Sequence, residues 1–523
     1  MADILSDNNS RVQVPKQPSL TLNALSNWIA LAVNLAIAFF LIPAIFAHLG
    51  ERRFGMWMLI SSFVGYFGLL RLGVGTGVFR YVPLFRGRGN PEQVNDVVSA
   101  GMAFYTVVGF VILVTSFLCA GLIADFFRGG RELAILIRLF GLAAALECPS
   151  RIFDTAIKGY EGFVFANLVT MFGALIRAAL LFGCIFMGYG LVPMGWATVI
   201  VTFLILVGKG ITFRICCPDV KLGMRKISLS VLKLLVLYGL IIMVGSGGAF
   251  LEFQSPKLIV GKVVSLEAVG FLGVVLLLIR YYRILITRLT RVLMPRFSYL
   301  SGQNADKKIR RLFLRGSRYV TCVAGVVALL LWSVGPSFMS LWIKNNGIRQ
   351  AFPALIILTA GMLVFASHQI SGFLLYGLGK QKYISMFSMI EGVSVCGLSL
   401  ALSYRYGMTG VAIGASVPPV FVRGVVQTIY VCRLLKVGFW KYYIDCIFKP
   451  WTIAIALAIA CWSLGVVNFA NNWLFLFLIS GLIMVAYGTA VYVTVIEDGE
   501  RNRIKGFIFA GFNKLANSRS YRK

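Results

Sequence analysis

The sequence predicts an all-α polytopic membrane protein with about 14 transmembrane helices. Of its 523 residues, 59% are hydrophobic and only 13% are charged, and the mean hydropathy is +0.85. A chain of this composition has too little polar surface to cover a soluble globule. The net charge of +31 comes mostly from lysines and arginines in short segments between apolar runs, which is the pattern that membrane topology produces. The positive charge therefore does not indicate a nucleic-acid partner.

Apolar runs that are long enough to cross the hydrocarbon, about 20 residues each, define the individual spans. They lie at 27–47, 55–79, 98–127, 134–156, 163–188, 193–214, 231–254, 267–291, 317–342, 351–377, 383–404, 407–431, 448–468 and 473–495. If both termini are cytoplasmic, the outer loops hold only nine lysines and arginines, and the inner loops and tails hold most of the others. This bias predicts cytoplasmic termini.

Two pairs of segments resemble each other at an offset of about 215 to 220 residues: Gly162–Ala197 with Gly379–Ala412, and Phe54–Asn90 with Val269–Asn304. Six spans per copy keep the orientation of the second copy, so we predict two parallel six-helix lobes followed by two extra helices. The predicted domains are a disordered cytoplasmic tail at 1–22, lobes at 23–226 and 227–436, helices thirteen and fourteen at 437–498, and a basic cytoplasmic tail at 499–523.

Arginines stand inside two predicted spans, where each costs at least about 2.5 kcal/mol if it faces lipid. Span eight carries Arg280, Arg283, Arg288 and Arg291, of which the first two lie deepest, and span two carries Arg71. A guanidinium group binds phosphate oxygens through its planar fork. We therefore predict that these five residues contact the phosphate of an anion that crosses the bilayer. The alternatives are that they snorkel to the interface or pair with buried acids.

Asparagines on one face of span one are the candidate glycan contacts. Asn27 and Asn34 belong to this polar stripe, together with Asn23. Amide groups hydrogen-bond sugar hydroxyls, although polar side chains in membrane helices also serve as interhelical bonds.

Charged residues in three further spans are candidates for gating or for coupling to H+ or Na+. Glu147, Arg151 and Asp154 follow one another in span four at i, i+4 and i+7, a spacing that also suits an ion-pair ladder. Arg177 in span five and Glu391 in span eleven are the other two candidates.

Short motifs carry a family resemblance. The run Phe54–Leu59, then Leu72–Gly75 and Arg80-Tyr81, together with the repeated Tyr-Gly segments, resembles the polysaccharide-transporter branch of the multidrug/oligosaccharidyl-lipid/polysaccharide (MOP) flippase superfamily. Within it, the Wzx-type O-antigen flippases are the most similar. One departure is Arg71, which stands where members of this branch often have an acid.

The resemblance implies a MATE-like fold and a flippase that is not an enzyme. Such a protein moves an undecaprenyl-diphosphate-linked oligosaccharide across the bacterial plasma membrane by alternating access, for cell-surface polysaccharide. Its partners are then this lipid-linked oligosaccharide, membrane lipids and polysaccharide polymerase machinery, and it needs no cofactor beyond a coupling ion. A lipid II flippase and a cation-coupled multidrug antiporter of the same superfamily are the alternatives. The sequence has no Gly-Lys-Ser phosphate-binding loop, so we do not expect ATP to drive it directly.

Overall fold

The computed structural model describes residues 20–71, 73–223, 228–466 and 472–495, and within these ranges the chain is helical and contains no strand. The predicted all-α membrane fold is confirmed. The first half contains α1 (Leu20–Leu70), α2 (Val74–Gly87), α3 (Pro91–Phe126), α4 (Gly130–Gly159), α5 (Phe163–Phe186), α6 (Leu191–Cys216) and α7 (Leu229–Val263). The second half contains α8 (Leu266–Arg291), α9 (Leu293–Gly302), α10 (Asp306–Ser333), α11 (Gly335–Ile343), a 3-10 turn (Asn346–Ala351), α12 (Phe352–Ser367), α13 (Gln369–Gly377), α14 (Gln381–Pro419), a π-helix (Val420–Gln427), α15 (Thr428–Leu434), α16 (Phe439–Tyr442), a second π-helix (Tyr443–Phe448), α17 (Lys449–Ser463) and α18 (Trp473–Thr494).

The chain divides into two compact units. Unit 1 comprises Met1–Phe250 and Ser265–Gly270, and unit 2 comprises Leu251–Val264 and Phe271–Lys523. Helix α7 therefore contributes residues to both units. The domain boundaries predicted from the sequence remain predictions.

Eleven helical stretches among the described residues are long and apolar enough to cross a membrane. Two of them, Ala32–Gly68 and Gln381–Leu434, each cover two predicted spans. In each, a glycine with non-helical backbone angles, Gly50 or Gly407, marks the bend between the two spans. Helix α7 corresponds to the seventh predicted span, although several of its side chains lie outside the described residues. The predicted number of about fourteen helices thus agrees with the helical segments observed.

Span two, which was predicted as one continuous helix, is broken between α1 and α2. Gly73 precedes α2 with φ 64°, a left-handed conformation that favours glycine. A side chain on Gly73 would also come within 2.9 Å of the carbonyl oxygen of Gly239. The break therefore requires glycine at this position, and it releases the backbone at Arg71 from the helix.

Unit 2 contains a second departure from regular helix, at the end of α14. Pro418 and Pro419 lack the backbone donors that an α-helix needs, and the hydrogen bonding changes to the π pattern over Val420–Gln427. The helix is therefore wider directly after the proline pair. Segments of π-helix are often found at functional sites, and Arg423 lies within this one.

Candidate anion site in unit 1 and ion-pair cluster in unit 2

The break between α1 and α2 places Arg71 inside unit 1. The residue is only 7% exposed, and its Nη2 donates a hydrogen bond to Oε2 of Glu147 on α4 at 3.1 Å. Its Nε is buried and has no hydrogen-bond partner within the described part of the chain. The structure thus pairs Arg71 with a partly exposed acid, and the side chain of Arg71 keeps an unused donor.

Glu147 is shared by two guanidinium groups. Besides Arg71, Nη2 of Arg151 lies 2.7 Å from Oε1 of Glu147. Nε of Arg177 on α5 is also buried without a hydrogen bond to any described residue. The carboxylate of Glu147 thus binds two arginines.

Asp154, two turns after Glu147 along α4, has lysine partners. Its Oδ2 lies 2.7 Å from Nζ of Lys158, and its Oδ1 lies 2.9 Å from Nζ of Lys209 on α6. The predicted ladder is therefore correct for Glu147 and Arg151 but wrong for Asp154. The reason is that Lys158 is also one helical turn away and that α6 brings in a second cation.

These two acids and their partners stand beside an open cleft of about 390 Å³. The residues that line it are Gly68, Arg71, Gly73, Gly75, Thr76, Phe79, Tyr105, Arg151, Asp154, Thr155, Lys158 and Phe250. In and beside the cleft, two arginines and two lysines contact two carboxylates. The cleft therefore carries a surplus of positive charge and can attract an anion.

Tyr105 fixes the α2 wall of the cleft. Its hydroxyl oxygen accepts a hydrogen bond from the backbone nitrogen of Gly75 at 3.0 Å. A side chain at Gly75 would come within 2.9 Å of that hydroxyl, so the close approach requires glycine. The first turn of α2 is thereby held next to Arg71.

Unit 2 contains a different charge cluster, built from two ion pairs. Nη1 of Arg283 on α8 lies 3.2 Å from both carboxylate oxygens of Glu252 on α7. Nε of Arg423 lies 3.0 Å and 2.7 Å from the two oxygens of Glu391 on α14. The two guanidinium carbons are 4.3 Å and 4.1 Å from the centre of the Phe365 ring, so both cations contact one aromatic ring.

This cluster is compensated in charge and closely packed. The adjoining cavity, which Glu252 and Phe365 help to line, measures only about 40 Å³, enough for very few water molecules. The side chain of Glu391 is 1% exposed and that of Arg423 is 9% exposed. Two cations and two carboxylates leave no surplus charge in the cluster, which is therefore less suited than the unit 1 cleft to hold an anion.

The other predicted site residues lie outside both clusters. Arg280, Arg288 and Arg291 on α8 are exposed. Asn34 on α1 is exposed, and its amide donates to the carbonyl oxygen of Ala30 within the same helix at 2.7 Å. The side chain of Asn27 lies outside the described residues.

Sequence reasoning missed Lys209, Glu252, Tyr105 and Phe365. The first two carried a usable signal, because each is a charged residue in or next to an apolar run, as Arg71 and Glu147 are. Tyr105 and Phe365 carried none, since an aromatic residue in an apolar helix is ordinary. Their contacts with Gly75 and with the two arginines appear only in three dimensions.

Comparisons with known proteins agree with the predicted resemblance. A family model described as "Polysaccharide biosynthesis protein" matches residues 90–342. A "Putative O-antigen transporter" of Shigella flexneri is 20% identical over 79% of this chain and 98% of its own length. An "Uncharacterized membrane protein EpsK" of Bacillus subtilis is 18% identical over 92% of this chain and 97% of its own length.

Solved structures with the same fold include two transporter types. "Lipid II flippase MurJ" in an inward closed conformation gives a TM-score of 0.68 at 13% identity, covering 91% of this chain and all of that one. An inward-facing "multidrug resistance MATE family transporter of the MOP superfamily" gives 0.67 at 15% identity, covering 78% of this chain and 99% of that one. These similarities confirm the predicted MATE-like fold.

Proposed function

We propose that this chain, which resembles the polysaccharide-transporter branch of the MOP superfamily, is a flippase for an undecaprenyl-diphosphate-linked oligosaccharide. It moves this substrate from the cytoplasmic to the outer leaflet of the bacterial plasma membrane by alternating access, for the synthesis of cell-surface polysaccharide. The observation that carries the proposal is the open cleft of unit 1, where Glu147 and Asp154 are outnumbered by their cationic partners.

The chemistry of the cleft suits a diphosphate. Arg71 and Arg151 both line it and present guanidinium groups, which match phosphate oxygens in geometry. Both are held by Glu147, so an arriving diphosphate exchanges one anionic partner for another and meets arginines that are already oriented. The volume of about 390 Å³ lies within the range of ligand pockets.

The names of the similar proteins are consistent with this proposal. The family model names polysaccharide biosynthesis, the Shigella flexneri relative is named as a putative O-antigen transporter, and the structure with a TM-score of 0.68 is a lipid II flippase. The substrates in these names are lipid-linked saccharides or their products. A translocation step changes no covalent bond, so the proposal requires no catalytic residue. The predicted polymerase partner belongs to this proposal.

Coupling to H+ or Na+ is the energy source that we propose. The candidates are the acids Glu147, Asp154 and Glu391 and the arginines Arg151 and Arg177, since loss or gain of an acid's charge would release or hold its cationic partner. In unit 1, the carboxylate of Glu147 forms ion pairs with both Arg71 and Arg151. Neutralising it would free both arginines for the substrate.

Two alternatives share the fold. A lipid II flippase would use the same diphosphate chemistry, so only the glycan separates it from our proposal. A multidrug antiporter for organic cations is disfavoured by the cationic surplus of the cleft, because like charges in a low-dielectric site repel. Efflux of organic cations from a pump-deficient host that expresses this chain would favour the antiporter.

The test is the substitution Arg71→Ala or Arg151→Ala, with Arg138→Ala as the matched control on an exposed face of α4. Loss of a charge-assisted phosphate contact costs about 1.5 to 3 kcal/mol, so we expect export of surface polysaccharide to fall roughly 10-fold or more. The amount of protein in the membrane is measured in parallel. Arg71→Lys should restore part of the export if the charge alone matters.

A second variant separates phosphate binding from structure. Arg71→Met combined with Glu147→Leu removes both ends of one ion pair, so that neither charge stays buried alone. We expect this double variant to reach normal membrane levels and still not export. Normal export by Arg71→Ala, or by the double variant, would show that Arg71 does not bind the phosphate.

A further inference from the structure

An apolar groove runs along one surface of unit 2, between the two halves of α14 and the following π-helix. Its volume is about 320 Å³, and it is lined by Phe387, Ile390, Ser394, Val417, Pro418, Phe421, Val422 and Val426. Ile390, Val417 and Phe421 are 47%, 48% and 61% exposed. The lining is almost wholly hydrocarbon, so the groove suits an apolar chain.

Aromatic rings continue the groove toward the start of α14. The ring of Phe387, which lines the groove, lies 6.1 Å from the ring of Tyr430, and Tyr430 lies 4.7 Å from the ring of Tyr383. Nζ of Lys380 is 6.0 Å from the centre of the Tyr430 ring. The path therefore passes from hydrocarbon through two tyrosines to a cation, the order of chemistry found from the inside of a bilayer to its surface.

The end of the groove is strongly basic. Lys382 and Arg433 are exposed beside Lys380 and Tyr430 in sequence, and Lys436 follows one turn later. No acid occurs in 380–390 or in 420–444. The next acids along the chain are Glu391, which is 1% exposed and bound to Arg423, and Asp445. Within the described ranges, Lys380, Lys382 and Arg433 form no ion pair, so this end of the groove carries a surplus of positive charge.

We propose that this surface is a binding site for an anionic phospholipid of the surrounding membrane. The phosphate is bound by Lys380, Lys382 and Arg433, the tyrosines lie at the level of the glycerol backbone, and one acyl chain occupies the groove. At a rise of about 1.5 Å per residue, the groove wall from Phe387 to Ser394 spans roughly 10 Å, and it begins about 8 Å below Lys382. An acyl chain of ordinary length covers this distance.

The proposed lipid is distinct from the transported substrate. All of its contacts belong to unit 2, and it shares no residue with the cationic cleft of unit 1, so the proposal goes beyond the proposed function and does not depend on it. One wall of the groove, Val417–Val426, contains the π-helix that carries Arg423. A lipid bound there stabilises that irregular segment by mass action.

The test is native mass spectrometry of the purified full chain in detergent, with dioleoyl phosphatidylglycerol and dioleoyl phosphatidylcholine as probes. We expect phosphatidylglycerol to bind more tightly. The triple variant K380Q/K382Q/R433Q should bind it roughly 100-fold more weakly, about fivefold for each charge removed. The matched control is K307Q/K308Q/R311Q on exposed α10 positions, which loses the same charge and should bind as the parent does.

The groove is tested separately by a bulky side chain. Ser394→Trp fills the groove and should weaken phosphatidylglycerol binding about 10-fold, whereas Val393→Trp, on an exposed position beside it that does not line the groove, should not. Ser394→Phe serves as a smaller wedge if the tryptophan variant does not fold. Equal binding of the two phospholipids, or equal losses in both triple variants, overturns the proposal. Displacement of phosphatidylglycerol by undecaprenyl diphosphate also overturns it, since the groove then belongs to the substrate.

Discussion

The charge clusters of the two units both pair arginines with carboxylates but differ in their electrostatic balance. In unit 1, Glu147 and Asp154 contact two arginines and two lysines. In unit 2, Glu252 and Glu391 each form an ion pair with one arginine. The difference teaches that an arginine inside a membrane helix does not by itself mark an anion site. The ratio of cations to acids around it does.

Exposure separates the clusters in the same way. The side chains of Arg151 and Glu147 in unit 1 are 53% and 34% exposed, next to an open cleft. In unit 2 the Glu391–Arg423 pair is almost fully buried. A hydrated pair exchanges partners at low cost, whereas a buried pair is expensive to separate. We therefore propose that the substrate contacts the unit 1 cluster and not the unit 2 cluster.

The largest effect is expected when the buried pair of unit 2 loses its acid. Glu391→Gln leaves the charge of Arg423 buried without its partner, which costs about 3 to 5 kcal/mol of the free energy of unfolding. Unfolding by SDS titration in mixed micelles measures this loss. The control is Glu391→Leu combined with Arg423→Met, which removes both charges and should recover most of the stability.

If Glu391→Gln were as stable as the parent, Arg423 would have another way to be solvated, and the contrast between the units would fail. Stability that the double variant does not recover would show that the pair is needed for more than mutual neutralisation. Either result would reopen the predicted coupling role of Glu391.

A smaller loss is expected for the equivalent change in unit 1. Glu147→Gln removes the carboxylate that orients Arg71 and Arg151, but Arg151 is half exposed and water replaces part of the lost interaction. We expect a loss of about 2 kcal/mol in the same SDS titration, close to the value of one hydrogen bond to a charged group. A loss as large as that of Glu391→Gln would contradict the hydrated character of the cleft.

The sequence predicted the fold well because membrane crossing imposes a simple rule. Each span needs about 20 apolar residues, and the predicted spans fall on helices that the structure contains. The glycines at 73, 75 and 77 mark a place where span two can bend. The close approach of Gly73 to Gly239 on α7 at the observed break involves residues far apart in the chain, and a single sequence does not show it.

The sequence predicted the site only in part, for a physical reason. It showed which charges lie inside spans, and these include Arg71, Glu147 and Arg151, which the structure brings together. It could not show the rotation of each helix about its axis, which decides that Arg283 pairs with Glu252 while Arg280 is exposed. Rotation is set by packing between helices, and a single sequence does not reveal which faces meet.

The smallest effect concerns the Phe365 ring that two guanidinium groups share in unit 2. Phe365→Leu keeps an apolar side chain but removes both cation–π contacts. The matched control is Phe313→Leu, another buried ring of unit 2, which stacks on Tyr442 instead. Each cation–π contact contributes about 1 kcal/mol and an aromatic pair about 1 kcal/mol. Phe365→Leu, which loses two contacts, should therefore lose about 1 kcal/mol more than its control in SDS titration. Equal losses would mean that the ion pairs alone hold the two arginines, and the ring would then be ordinary packing.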